Sequence, residues 1–153
     1  MSYYEKVLQP GEQVRFVGKL HWIIYKNVVG YLLLAAVFAV EPHILESSDP
    51  GRMYLATVLI ALLSFLEGVR ATIVQATTEF VVTDKRVIYK RGWISRRTEE
   101  INITKVESVD VDQDVVGRIL GFGSVLLRGT GGSWEPLRRV ADPLGLRNAI
   151  LVG

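Results

Sequence analysis

Two long apolar runs come first in the chain and short alternating runs follow. The first, WIIYKNVVGYLLLAAVFAV (residues 22–40), carries one charge, Lys26. The second, MYLATVLIALLSFLEGVRATIV (residues 53–74), is broken by Glu67 and Arg70. Neither shows a polar stripe at helical spacing, as a helix lying on a soluble core does. A membrane-crossing helix needs ~20 mostly apolar residues. Both runs reach that length if Lys26, Glu67 and Arg70 are tolerated near their ends. The uncharged stretches alone, residues 27–40 and 53–66, are short enough for buried core helices.

The flanks separate these readings. Trp22, Tyr25 and Tyr54 sit near the ends of the runs, where amphipathic rings prefer an interface. Lys6, Arg15 and Lys19 precede the first run, and Arg70, Lys85, Arg86, Lys90 and Arg91 close or follow the second. Between the runs, EPHILESSDPGR sets Glu41, Glu46 and Asp49 against Arg52. The positive-inside rule then predicts a membrane hairpin with both termini cytoplasmic and a short external loop. Residues 1–20 form a cytoplasmic lead, and residues 21–74 hold helices at about 22–41 and 53–73. Glu67 then lies ~21 Å along the second helix from Met53, and Arg70 ~25 Å. Arg70 can snorkel to the headgroups. Glu67 pairs within the membrane with Arg70 or Lys26, or sits in the wet interface with no special role. Two rivals remain: a soluble domain with a buried helical hairpin, and a signal peptide cleaved after VFA, for which the polar lead is long.

From Gln75 the period becomes two. In TEFVVTDKRVIYKRGWISRRTEEINITKVESVDVDQD, β-branched and aromatic residues alternate with polar ones between turns. VVGRILGFG interrupts this as a short helical turn or loop, and SVLLRGTGGSWEPLRRV reads as a hairpin turning at residues 129–132. Asp142-Pro143 supplies an N-cap and first-turn proline for a last helix, with Leu146, Ala149 and Ile150 on one face. Residues 76–153 are therefore predicted as one small barrel plugged by a helix.

Composition removes several function classes. The 153 residues are 49% hydrophobic and 22% charged, so the apolar residues are concentrated. A net charge of +2 argues against a nucleic-acid binder. There is no cysteine, hence no disulfide, thiol catalysis or Cys–zinc site. The two histidines, His21 and His43, are far apart, and Ser124 and Ser133 have no histidine near them in sequence. DVDQD (residues 110–114) begins like a calcium loop, but Val115 and Gly121 stand where Gly and Glu are required. GFGS and GTGGS do not complete a phosphate loop and read as turns. Gly30 and Gly68 stand alone, without G-x-x-x-G. The expectation is no enzyme, cofactor or metal.

The ordered matches LQPGEQV, VTDKRVI, GWISR, EINITKVESV, GRILGFG and GTGG resemble the membrane-tethered branch of the bacterial pleckstrin-homology-like (PH-like) family. The resemblance implies an α+β chain: a two-helix transmembrane hairpin followed by a mainly-β PH-like split barrel with a C-terminal helix. It also implies a non-enzymatic binding module, often self-associating, in cell-envelope or stress functions. By analogy with eukaryotic relatives, the basic residues around the first hairpins, Lys85, Arg86, Lys90, Arg91, Arg96 and Arg97, are the candidate contacts for anionic lipid headgroups. Twelve Lys and Arg face ten Asp and Glu over residues 76–153, so ordinary solvated strand faces are the competing reading. Trp93 could dip into the interface or pack over a barrel end. The implied partners are the bilayer, anionic lipid and a homo-oligomer or second membrane protein. The alternative function is an oligomeric protein–protein scaffold without lipid recognition.

Overall fold

The computed structural model describes residues 3–44, 49–93, 97–130, 132–133 and 136–152, with backbone alone at Tyr3, Lys6, residues 42–44 and Ser133. Contacts divide the chain into two units, Met1–His21 with Val74–Gly153, and Trp22–Ile73.

The first unit is built on two antiparallel sheets. One runs in the order β1 (Val14–Gly18), β2 (Glu79–Thr83), β3 (Arg86–Arg91), β4 (Arg97–Asn102). The other contains β5 (Val106–Asp112), β6 (Phe122–Gly129), β7 (Gly132–Ser133) and β8 (Leu137–Ala141), with β6 paired to the other three. The inward positions are those of the period-two pattern. Phe80, Val82, Val87 and Tyr89 from the first sheet meet Val109, Val125, Leu127, Leu137 and Val140 from the second. The closing helix α5 (Pro143–Leu151) adds Leu146 and Ile150, four residues apart on one face. Each such buried side chain contributes ~1.5–3 kcal/mol by transfer from water. Asp142 caps α5, accepting the Gly145 N–H at 2.9 Å.

The first strand comes from the N-terminal lead, which sequence analysis sets apart as residues 1–20. Val14–Gly18 pairs with β2, with Gly18 opposite Phe80, although the whole helical hairpin separates them in sequence. A Cβ at Gly18 would run into the Phe80 ring, so only glycine lets this edge close over the core. Beyond β1 the chain turns onto the second sheet. Lys19 O accepts the Ala141 N–H at 2.9 Å, and His21 N–H donates to Arg139 O at 2.8 Å. Helix α1 (Tyr3–Val7) packs on β2. Val81 and Ile88, on the face of the first sheet opposite the core, are buried as well.

The interruption at residues 115–120 is helix α4 (Val115–Leu120). Asp114 caps it, accepting the Gly117 N–H at 2.6 Å, and Gly121 ends it at φ 77°. A Cβ on Gly117 would stand 2.6 Å from Phe122 O. Helix propensity alone gives Gly117→Ala a gain of ~1 kcal/mol. The overlap with backbone instead predicts a net loss of about 1–3 kcal/mol, so the sign of the change in unfolding free energy tests this packing.

The second unit is a helical hairpin, α2 (Lys26–Ile44) and α3 (Pro50–Thr77), entered by a 3-10 turn at Trp22–Tyr25. Two stretches, Trp22–Glu41 and Pro50–Thr77, are long and apolar enough to cross a bilayer. Their large apolar side chains point outward: Leu33 is 64% exposed, Val58 63% and Phe65 67%. The two helices meet through Ser64, Gly68 and Thr72, one turn apart. Ser64 Oγ donates to Val28 O at 3.1 Å, Gly68 lies against Val28, and Thr72 Oγ1 is 3.3 Å from Tyr25 Oη. Gly68, solitary as a G-x-x-x-G element, is thus the middle of a small-residue stripe that lets two backbones approach.

Candidate functional site

Strand register sorts the basic residues of the β unit to two ends of the first sheet. Gly18, Phe80 and Tyr89 are neighbours across β1, β2 and β3, and Arg91 stands opposite Arg97 across β3 and β4. This is the end from which the chain leaves for the helices and to which it returns. Val14, Thr83, Arg86 and Asn102 mark the far end. At ~3.3 Å per residue, the five steps from Arg86 to Arg91 separate the ends by ~16 Å.

The far end holds Lys85 and Arg86, and all three nitrogens of the Arg86 guanidinium are engaged there. Its Nε and Nη2 donate to Glu12 Oε1 and Oε2, both at 2.9 Å. Nη2 also reaches Val7 O at 2.8 Å, and Nη1 reaches Glu100 Oε2 at 2.7 Å. The Glu12 side chain is 0% exposed and that of Arg86 17%. Thr83 Oγ1 donates a further bond to Glu12 Oε1 at 2.8 Å. The Arg86 hydrogen bonds, with those from Gln9 and Thr83, outweigh burial and hold the Glu12 carboxyl at about 2, against an ordinary 4.5. The same pairing raises the Arg86 pKa. These bonds fasten the N-terminal lead to the β2–β3 turn through Arg86. Glu12 is a buried structural partner that sequence reading missed, and its signal was its place in LQPGEQV. Lys85 is exposed beside it, in a cleft of about 430 Å³ also lined by Gln9, Asn102 and Lys105.

The near end holds Lys90, Arg91 and Arg97. Lys90 stands opposite Glu79, and Arg97 pairs with Glu99 at 2.7 Å. Arg91 and Arg97 face each other directly, an arrangement of like charges that costs energy in a sheet unless anions lie nearby. Trp93, 64% exposed, follows Arg91 and Gly92 in the link to β4. Arg96, the remaining candidate, lies outside the described residues.

Family membership can now be settled. The sequence model of the bacterial PH domain matches residues 23–151. The chain belongs to the bacterial PH domain family. The matched span of this bacterial PH domain takes in the helical hairpin as well as β2 to α5, while α1, β1 and Glu12 precede it. No curated protein and no solved structure matches the chain. Membership supports a binding-module role, and proteins of this kind commonly bind lipids or proteins.

Other residues singled out in the sequence have local roles in the bacterial PH domain. Asp110 pairs with Arg128 across β5 and β6 at 2.9 Å, and Asp114 caps α4. In the hairpin, Glu67 pairs with Arg70 at 3.1 Å, and Lys26 is exposed with no ion pair among the described residues.

Proposed function

We propose that this bacterial PH domain protein is a membrane-anchored, non-enzymatic binding and assembly module. The helical hairpin crosses the inner membrane with both termini cytoplasmic, and the β unit works at the cytoplasmic leaflet. The observation that carries this reading is the outward-facing apolar surface of both helices, which water would penalise and lipid would not. Among the basic residues, Lys90, Arg91 and Arg97 are the headgroup contacts. They share the end of the sheet from which the chain departs for the hairpin, and Trp93 lies beside them. Near an anionic leaflet each adds ~1 kcal/mol.

Trp93 can report this contact once Trp22 and Trp134 are replaced by Phe. In vesicles containing anionic lipid, its emission is expected to be blue-shifted and quenched by brominated lipid, and less so as salt rises. Joint replacement of Lys90, Arg91 and Arg97 by Ala should abolish the difference between anionic and neutral vesicles, whereas Lys85→Ala should leave it intact. Identical Trp93 spectra in both vesicle types, with a defined oligomer in mild detergent, would favour the alternative: a protein–protein scaffold docking another membrane protein.

A further inference from the structure

Helix α4 is anomalous for an element of a packed barrel. Its buried residue is Gly117, while Val115 and Ile119 are 74% and 79% exposed and Val116 and Leu120 are also exposed. Four apolar side chains on six residues thus face away from the core. Arg118 lies among them, exposed and with no side-chain partner among the described residues. Outward aliphatic side chains with a basic residue beside them suit a surface that dips into a lipid interface.

The position of α4 in the β unit says which lipid surface it can reach. The His21 ring stacks on the Phe122 ring at 5.1 Å, and Phe122 is two residues past the end of α4. Asp142 N–H donates to Gly121 O at 3.1 Å, and Ala141, next to it, bonds Lys19. So α4 is pinned beside Lys19 to His21, the last residues of the β unit before the first apolar stretch begins at Trp22. A chain that enters a bilayer at Trp22 cannot carry this neighbourhood far from the leaflet.

We propose that α4 is a surface foot: Val115, Val116, Ile119 and Leu120 insert into the headgroup–acyl boundary of the leaflet that the hairpin enters, and Arg118 meets its phosphates. This rests on the membrane reading above and adds an apolar contact separate from Lys90, Arg91 and Arg97. The foot would fix the β unit against the leaflet instead of leaving it to swing on its tether.

Because the chain lacks cysteine, single positions can be labelled. The full chain is reconstituted into vesicles of phosphatidylcholine and phosphatidylglycerol, carrying a polarity-sensitive fluorophore at Ile119→Cys, Val115→Cys, Thr104→Cys or Val58→Cys. Labels at 119 and 115 are expected to show blue-shifted emission and quenching by lipids spin-labelled near the headgroup, unchanged when vesicles are diluted with protein-free lipid. The label at 104, in the far turn, should stay water-like, and the label at 58 should be quenched by deep spin labels. Water-like emission at 119 and 115 with deep quenching at 58 overturns the foot and leaves the anchor standing. Water-like emission at 58 overturns both. Blue-shifted emission at 119 that is lost on lipid dilution, or insensitive to lipid quenchers, overturns the foot in favour of a second copy of the chain or another protein on this face.

Discussion

Arg86→Met is expected to destabilise the β unit by about 3–5 kcal/mol, because it leaves a carboxylate buried without its counter-charge. Glu12 keeps the bonds from Thr83 Oγ1 and Gln9 N–H after the change, but loses both guanidinium donors. Glu100 is half-exposed and falls back on water at little cost. Adding Glu12→Gln removes the stranded charge and should recover a good part of the loss, whereas Lys85→Met should stay within about 0.5 kcal/mol of the parent. Denaturant unfolding of the full chain in micelles, followed by tryptophan emission, measures all four proteins. If Arg86→Met left stability untouched and weakened the response to anionic lipid instead, Arg86 would join the headgroup set.

The same pair sets an acid limit. The Glu12 carboxyl titrates at about 2 in the folded protein and near 4.5 when free, so its contribution is fully present above pH 4.5. It is lost as pH falls from there towards 2, and the shift corresponds to about 3 kcal/mol. Glu12→Gln should therefore be less stable than the parent at neutral pH and lose less of its stability between pH 5 and 3.

These residues mark where a single reading along the chain stops. The period-two positions Phe80, Val82, Val87, Tyr89 and Val109 report which face is buried, and they are core residues. The Asp142-Pro143 start of α5 is read from local chemistry alone and is found there. Partnership across long separations leaves no such mark. Glu12 and Arg86 are 74 positions apart, and β1 and β2 are split by the hairpin. Nothing periodic in VRFVG says which edge it joins. The basic pairs mislead in the opposite way. Lys85-Arg86 and Lys90-Arg91 look like one cluster in sequence, but a strand between them carries them to opposite ends of a sheet. Helix α4 was legible as an interruption. Its outward apolar face was not, because aliphatic residues in a short segment are ordinarily assigned to the core.

Leu62→Asp is the substitution on which the membrane reading and a soluble reading, with this face of α3 in water, disagree most. Leu62 lies near the middle of α3 and is 52% exposed. If α3 crosses a bilayer, an aspartate there costs about 3–4 kcal/mol relative to leucine, more than a hundredfold against insertion. With α3 failing to cross and α2 still inserted, residues 74–153 should be left on the outer side of the membrane, parted from β1 and Glu12, which stay with the cytoplasmic N-terminus. Lys105→Cys in the same chain reports this: labelling by an impermeant maleimide in intact cells should be absent in the parent and present with Leu62→Asp. If α3 were instead a surface helix of a water-soluble protein, the change would be worth no more than about 0.5 kcal/mol. The protein would then purify without detergent, and Lys105→Cys would stay protected in intact cells. That second result would remove the anchor, and with it the reason to place Lys90, Arg91, Arg97 and α4 against lipid.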